Sequence, residues 1–93
     1  MSRMHKLKTH PEPYQAVLDK RKPYEIRKND RGFVVGDVLH LCEWDPVTEV
    51  FSGRETYARV TYMTNGGEWG IPLDLCVLGI DARVSVGAFP AVR

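Results

Sequence analysis

The sequence predicts a mainly β, α+β domain: a small β-barrel of five to six short strands with one early helix. Three observations carry that expectation. The chain has 93 residues, enough for one domain with little room for a second, so residues 1–93 read as a single unit. Most of its length consists of short segments of period-2 alternation separated by turns, several containing glycine. Closing such strands into a barrel removes the edges they would expose. A single early stretch has helical spacing.

The first strand is expected at His5-Lys6-Leu7-Lys8, which stops before Pro11. Pro11 to Asp19 reads as a helix. Pro11 and Pro13 suit its first turn, Glu12 favours its positive end, and Tyr14, Val17 and Leu18 form one apolar stripe. Lys20-Arg21-Lys22 then brings cations to the C-terminal end, and Pro23 prevents continuation. This helix is expected to plug one end of the barrel.

Tyr24 to Lys28 alternates strictly, which predicts Tyr24, Ile26 and Lys28 on an inner face and Glu25 and Arg27 on a charged outer face. Asn29-Asp30-Arg31-Gly32 is a turn, Phe33-Val34-Val35 a short extended piece, and Gly36-Asp37 a second turn. A strand follows from Val38 to Trp44, and Asp45-Pro46 opens a loop through Gly53. Arg54 to Met63 is a long strand with Thr56, Ala58, Val60 and Tyr62 on one face and Tyr57, Arg59, Thr61 and Met63 on the other. Thr64 to Gly70 is a glycine-rich loop carrying Trp69. Leu75 to Ile80 is a buried strand, and Arg83 to Val86 is a last strand before a loose tail.

Hydrophobic residues make up 43% of the chain and charged residues 27%, a balance that excludes wholesale disorder. Apolar runs are far shorter than the roughly 20 residues of a membrane-spanning helix. The first residues carry no apolar signal segment. A cytoplasmic setting without a membrane partner is expected. Cys42 and Cys76 are far apart, and His5, His10 and His40 form no pair at zinc-ligand spacing, so no metal or cofactor is expected. Both cysteines read as buried, reduced thiols, and His5 and His40 as structural histidines. Asn65-Gly66-Gly67 lacks a following helix and a Lys-Ser/Thr pair, which argues against a phosphate-binding P-loop.

The formal net charge of +1 excludes a polybasic coating protein. It is nonetheless a sum of unlike halves. Residues 1–31 hold nine Lys and Arg against four Asp and Glu, a net +5, and all five lysines lie before residue 29. Such asymmetry suggests that one end of the chain meets a polyanion.

The densest polar cluster lies within that basic half, from Lys22 to Arg31. Glu25 and Arg27 share one strand face about 7 Å apart. Arg27 and Arg31 offer planar forks to phosphate, while Glu25, Asn29 and Asp30 can meet a base edge or a ribose hydroxyl. The same residues can instead neutralise one another in an ion-pair network that fixes the turn, and spacing leaves both readings open. Lys6 and Lys8 share a face that would extend a basic groove towards Lys22. Trp69 on its glycine loop is a candidate base-stacking platform, whereas Trp44 reads as core.

These residues resemble a known family. His5-x-Leu7-Lys8, Ala16-Val17-Leu18, Lys22-x-Tyr24-Glu25-Ile26-Arg27-Lys28-Asn29-Asp30-Arg31-x-Phe33-x-Val35-Gly36-Asp37, Leu41-x-Glu43-Trp44-Asp45-Pro46 and Ser52-Gly53-Arg54 are similar to a small uncharacterised family of bacterial and phage proteins in the ASCH branch of the PUA-like superfamily. The resemblance covers about residues 4 to 80, and residues 83–93 read as a C-terminal extension. It implies a PUA-like β-barrel with a cleft between barrel and helix, carrying a G-x-K-x-x-[ET]-x-R signature. Lys22, Glu25 and Arg27 match its lysine, acidic and arginine positions, and Lys20 replaces its glycine. One ASCH-like branch hydrolyses acetylated cytidine with a threonine three residues after the lysine. Glu25 stands there in this chain and cannot be that nucleophile.

The resulting expectation is a module for RNA or a modified nucleotide, single-stranded rather than duplex. Lys8, Lys22, Arg27, Lys28 and Arg31 would hold phosphate, Glu25, Asn29 and Asp30 would read base or ribose, and Trp69 would stack. Two alternatives stand beside it: a small amidohydrolase acting on an acylated nucleoside through Lys22 and Glu25, and a phage or bacterial protein-interaction module.

Overall fold

The computed structural model describes residues 2–83. Its elements in chain order are β1 (Met4–Thr9), α1 (Pro11–Leu18), β2 (Tyr24–Lys28), β3 (Val38–Asp45), β4 (Val50–Thr64) and β5 (Leu75–Arg83). The five strands form one half-barrel sheet in the order β1-β3-β4-β5-β2. β1 runs parallel to β3, and the other pairs are antiparallel. A parallel pair needs a crossover. Here the chain leaves β1 through α1, lays β2 on the far edge of the sheet, and returns to place β3 beside β1. β1 and β2 are therefore the two edges, and they face one another across a seam with no backbone ladder.

The core lies between α1 and the concave face of the sheet. Tyr14 and Val17 pack with Leu7, Leu39, Leu41, Ala58, Val60, Cys76, Leu78 and Ile80, and Leu18 covers the margin, as the stripe predicts. Each fully buried aliphatic side chain contributes roughly 1.5–3 kcal/mol. Asp37 anchors the return to β3. It is fully buried and accepts hydrogen bonds from the backbone N–H groups of Arg3 (3.0 Å) and Val34 (3.0 Å), and it pairs with His5 Nε2 at 2.9 Å. Burial pushes its carboxyl up, but these three bonds together hold it below the usual carboxylate range.

The helix ends in a left-handed turn. Lys20 has φ +63°, and the N–H groups of Arg21 and Lys22 both donate to the Ala16 carbonyl, at 2.9 and 3.1 Å. That conformation usually falls to glycine after a helix. Here lysine takes it.

Three expectations are corrected. The faces of β2 are inverted: Glu25 is 2% exposed and turned inward with Arg27, whereas Ile26 is 54% exposed and Tyr24 and Lys28 also face outward. An edge strand at an open seam can turn charge inward when that charge is paired, because α1 and the three central strands already supply the apolar core. The loop expected from Asp45 to Gly53 is mostly strand, because Asp45 Oδ1 accepts the Val47 N–H at 2.8 Å and Glu49 takes φ +59°, which closes a tight hairpin and pairs Trp44 with Phe51. Phe33-Val34-Val35, expected as a short extended piece, lies outside the sheet, with Phe33 buried edge-on against His5 at 4.6 Å. A register shift between Val60 and Tyr62 moves Tyr62 to solvent and brings Met63 to the core margin. Cys42 and Cys76 are buried and free, and burial pushes both thiols up. β5 reaches Arg83, so the rest of the predicted last strand and nearly all of the 83–93 extension lie outside the described residues.

Candidate functional site: a basic seam between the two sheet edges

Side chains bridge the seam that the backbone leaves open. Arg27 Nη2 lies 3.3 Å from Thr9 Oγ1, Arg31 Nη1 donates to the Lys6 carbonyl at 3.1 Å, and Arg3 Nη2 donates to the Arg31 carbonyl at 2.7 Å. Charged side chains along both edges also blunt strand-on-strand association.

At the α1 end of the seam lies an open cleft of ≈310 Å³, lined among others by Lys8, Thr9, Lys22, Glu25 and Arg27. That is the lower end of the roughly 300–1,000 Å³ of small-molecule sites. Glu25 forms part of its floor. One of its carboxylate oxygens receives Lys22 Nζ at 2.7 Å, and the other receives Arg27 at 3.0 Å from Nε and 2.8 Å from Nη2. The side chains of Lys22 and Arg27 remain 21% and 23% exposed. The left-handed turn at Lys20 sets the position of Lys22, which also donates to the Tyr24 carbonyl at 2.9 Å and lies over the Tyr24 ring. A buried acid thus holds two cations at the cleft, each with about a fifth of its side chain exposed, so an ion-pair network lines the open cleft.

Further along the seam, Arg27 and Arg31 line a second cleft with Lys6, Lys8 and Phe51, and a third with Lys28, Asp30 and Phe33. Lys8 Nζ stands 4.5 Å from the centre of the Trp44 ring, and Lys6 Nζ 5.7 Å from that of Phe51. These contacts place aromatic faces beside cations.

Of the predicted site residues, Lys8, Lys22, Glu25, Arg27 and Arg31 come together along the seam, with Lys28 and Asp30 at its far end. Glu25 has both oxygens committed to cations and acts as a clamp. The side-chain carbonyl of Asn29 accepts the Phe33 N–H at 3.3 Å and so serves the turn. Trp69 is 92% exposed but lines none of these three clefts, and Trp44 is only half-buried. Thr9, His10 and Phe51 were not singled out by the sequence as site residues. The inward alternation of His5, Leu7 and Thr9 pointed to Thr9, but nothing local placed the hairpin aromatic Phe51 beside β1.

Other residues of the resemblance tie the β3–β4 hairpin to α1. Ser52 Oγ donates to Glu43 at 2.6 Å, and Arg54 reaches Gln15 Oε1 at 2.7 Å while its guanidinium lies over the Tyr14 ring. Burial raises the Tyr14 hydroxyl pKa, with Arg54 opposing it.

A family profile described as a domain of unknown function, DUF3850, matches residues 4–80. The chain is also 41% identical over 69 residues to an "Uncharacterized 12.9 kDa protein in GpA 3'region" of Escherichia phage P2. That match covers 74% of this chain and 62% of the phage protein's length.

Proposed function

The chain belongs to the DUF3850 family, and from that premise and the seam geometry we propose that it is a binding module for RNA or a nucleotide, taking a short single strand rather than a duplex. The observation that carries the reading is the convergence of Lys8, Lys22, Arg27 and Arg31 on a seam left open between two sheet edges. Partly exposed cations along the seam suit phosphate, and adjacent aromatic faces suit unstacked bases. Seam clefts of ≈310 and ≈440 Å³ suit one or a few nucleotides better than a duplex footprint. No helix among the described residues is long and apolar enough to cross a membrane.

The test is a titration of short single-stranded RNA at two salt concentrations. Binding should weaken with salt and fall in Arg27→Ala with Arg31→Ala. No binding at low salt, or unchanged affinity in the double variant, overturns the reading. One observation favours a second reading, hydrolysis of an acylated nucleoside: the Lys22 ammonium meets Glu25 at 2.7 Å in an open cleft. Turnover of acylated nucleosides that is lost in Lys22→Ala would select it.

A further inference from the structure

The convex face of the sheet carries a second cluster, on β3 and β4, beside Lys6 and Lys8 of β1, whose register partners are His40 and Cys42. In the register of β3 and β4, Cys42 pairs with Glu55 and His40 with Tyr57, so His40, Cys42 and Glu55 share one face. His40 Nε2 lies 2.8 Å from Glu55 Oε1, and one ligand atom from each of the three residues lies within 4.8 Å of the others. The His40 ring is stacked on Tyr57 with centroids 4.6 Å apart and planes 8° from parallel, which fixes the direction of its nitrogen.

The two cysteines differ in their surroundings. Cys76 belongs to the apolar core, as a thiol acting as a small hydrophobe should. Cys42 lies outside that core cluster, on the opposite face, beside an imidazole and a carboxylate. Its thiol makes a long contact, 3.7 Å to the His40 carbonyl.

We propose that His40, Cys42 and Glu55 form a binding site for one divalent transition-metal cation of the zinc class, with an open fourth position. Imidazole, thiolate and carboxylate together suit a borderline cation better than magnesium or calcium, which take oxygen ligands. Zinc bonds of about 2.0–2.3 Å place tetrahedral ligand atoms roughly 3.3–3.7 Å apart. The His40–Glu55 contact would therefore open slightly, and the wider separations within the cluster would close by about 1 Å. Binding replaces the Cys42 S–H bond with a sulfur–metal bond and releases the proton to solvent. A site assembled across two strands leaves no spacing motif, which is why the sequence indicated no metal.

Cobalt(II) titration of the full chain tests this, because a cobalt–thiolate bond absorbs in the near ultraviolet. The expected result is a charge-transfer band saturating at one cobalt per chain, displaced by zinc and absent in Cys42→Ser. Glu55→Gln changes an exposed side chain and so preserves the fold. It should weaken binding by at least about tenfold, no less than the loss of an outer-shell partner. No band in the wild-type chain, an undiminished band in Cys42→Ser, or unchanged affinity in Glu55→Gln overturns the proposal. If Cys42→Ser fails to fold, the Glu55→Gln affinity decides.

Discussion

Replacing Glu25 with glutamine separates the two roles that the seam gives this residue. Glu25 is 2% exposed and holds Lys22 at 2.7 Å and Arg27 at 2.8 Å. Breaking a buried ion pair from one side costs about 3–5 kcal/mol, because the remaining charge loses its partner. Lys22 and Arg27 keep about a fifth of their side-chain surface in water, and the amide oxygen of glutamine still accepts one bond. The expected loss is therefore about 2 kcal/mol, a sizeable part of the 5–15 kcal/mol that holds a typical domain. Binding should move the other way. Removing a negative charge some 6 Å from a bound phosphate, at an effective dielectric between that of a protein surface and that of water, favours the phosphate by on the order of 1 kcal/mol, about fivefold in affinity. Glu25→Gln should thus be less stable in urea denaturation, yet bind a short single strand at least as tightly as the wild type. Unchanged stability would show that the clamp does not hold the cations. Abolished binding in a folded variant would show that Glu25 itself contacts the ligand.

Three further outcomes follow from particular residues. Lys20→Gly relieves a left-handed non-glycine residue and should raise stability by about 1 kcal/mol, seen as a higher midpoint in thermal melting. Because folding holds the Asp37 carboxyl below its usual range, its contribution is fully present above about pH 4 and is lost as pH falls through the folded-state value. Asp37→Asn should flatten the acid limb of the stability–pH curve and cost about 2–3 kcal/mol at neutral pH, measured by denaturant titration at several pH values. Trp69→Ala should leave RNA affinity unchanged in an anisotropy titration, since Trp69 lines none of the seam clefts.

The strand count, the early helix and the basic cluster were legible because each rests on local periodicity or composition. Pro11, Pro13 and the stripe of Tyr14, Val17 and Leu18 determine the helix without reference to any partner. The faces of β2 were not legible, because alternation shows that two faces differ but not which one meets the core. Tyr24 and Ile26 looked like the inner face by hydropathy, and tertiary pairing of Glu25 with Lys22 and Arg27 decided otherwise. The seam itself is a product of topology: only the placement of β2 on the far edge brings Arg27 to Thr9, eighteen positions away in sequence. The 46–49 hairpin was hidden for a different reason. Asp45-Pro46 signals a turn, but the left-handed backbone that closes it falls on Glu49, a residue type that seldom marks such a position.

The central claim is that ligand enters the seam between β1 and β2. Amide chemical-shift mapping during titration with a short single-stranded RNA tests it directly. The account predicts perturbations concentrated at Lys8, Thr9 and Lys22 to Lys28, weakening together with added salt. Perturbations centred on the outer face around Tyr62 and Val77, or none at low salt, would contradict it.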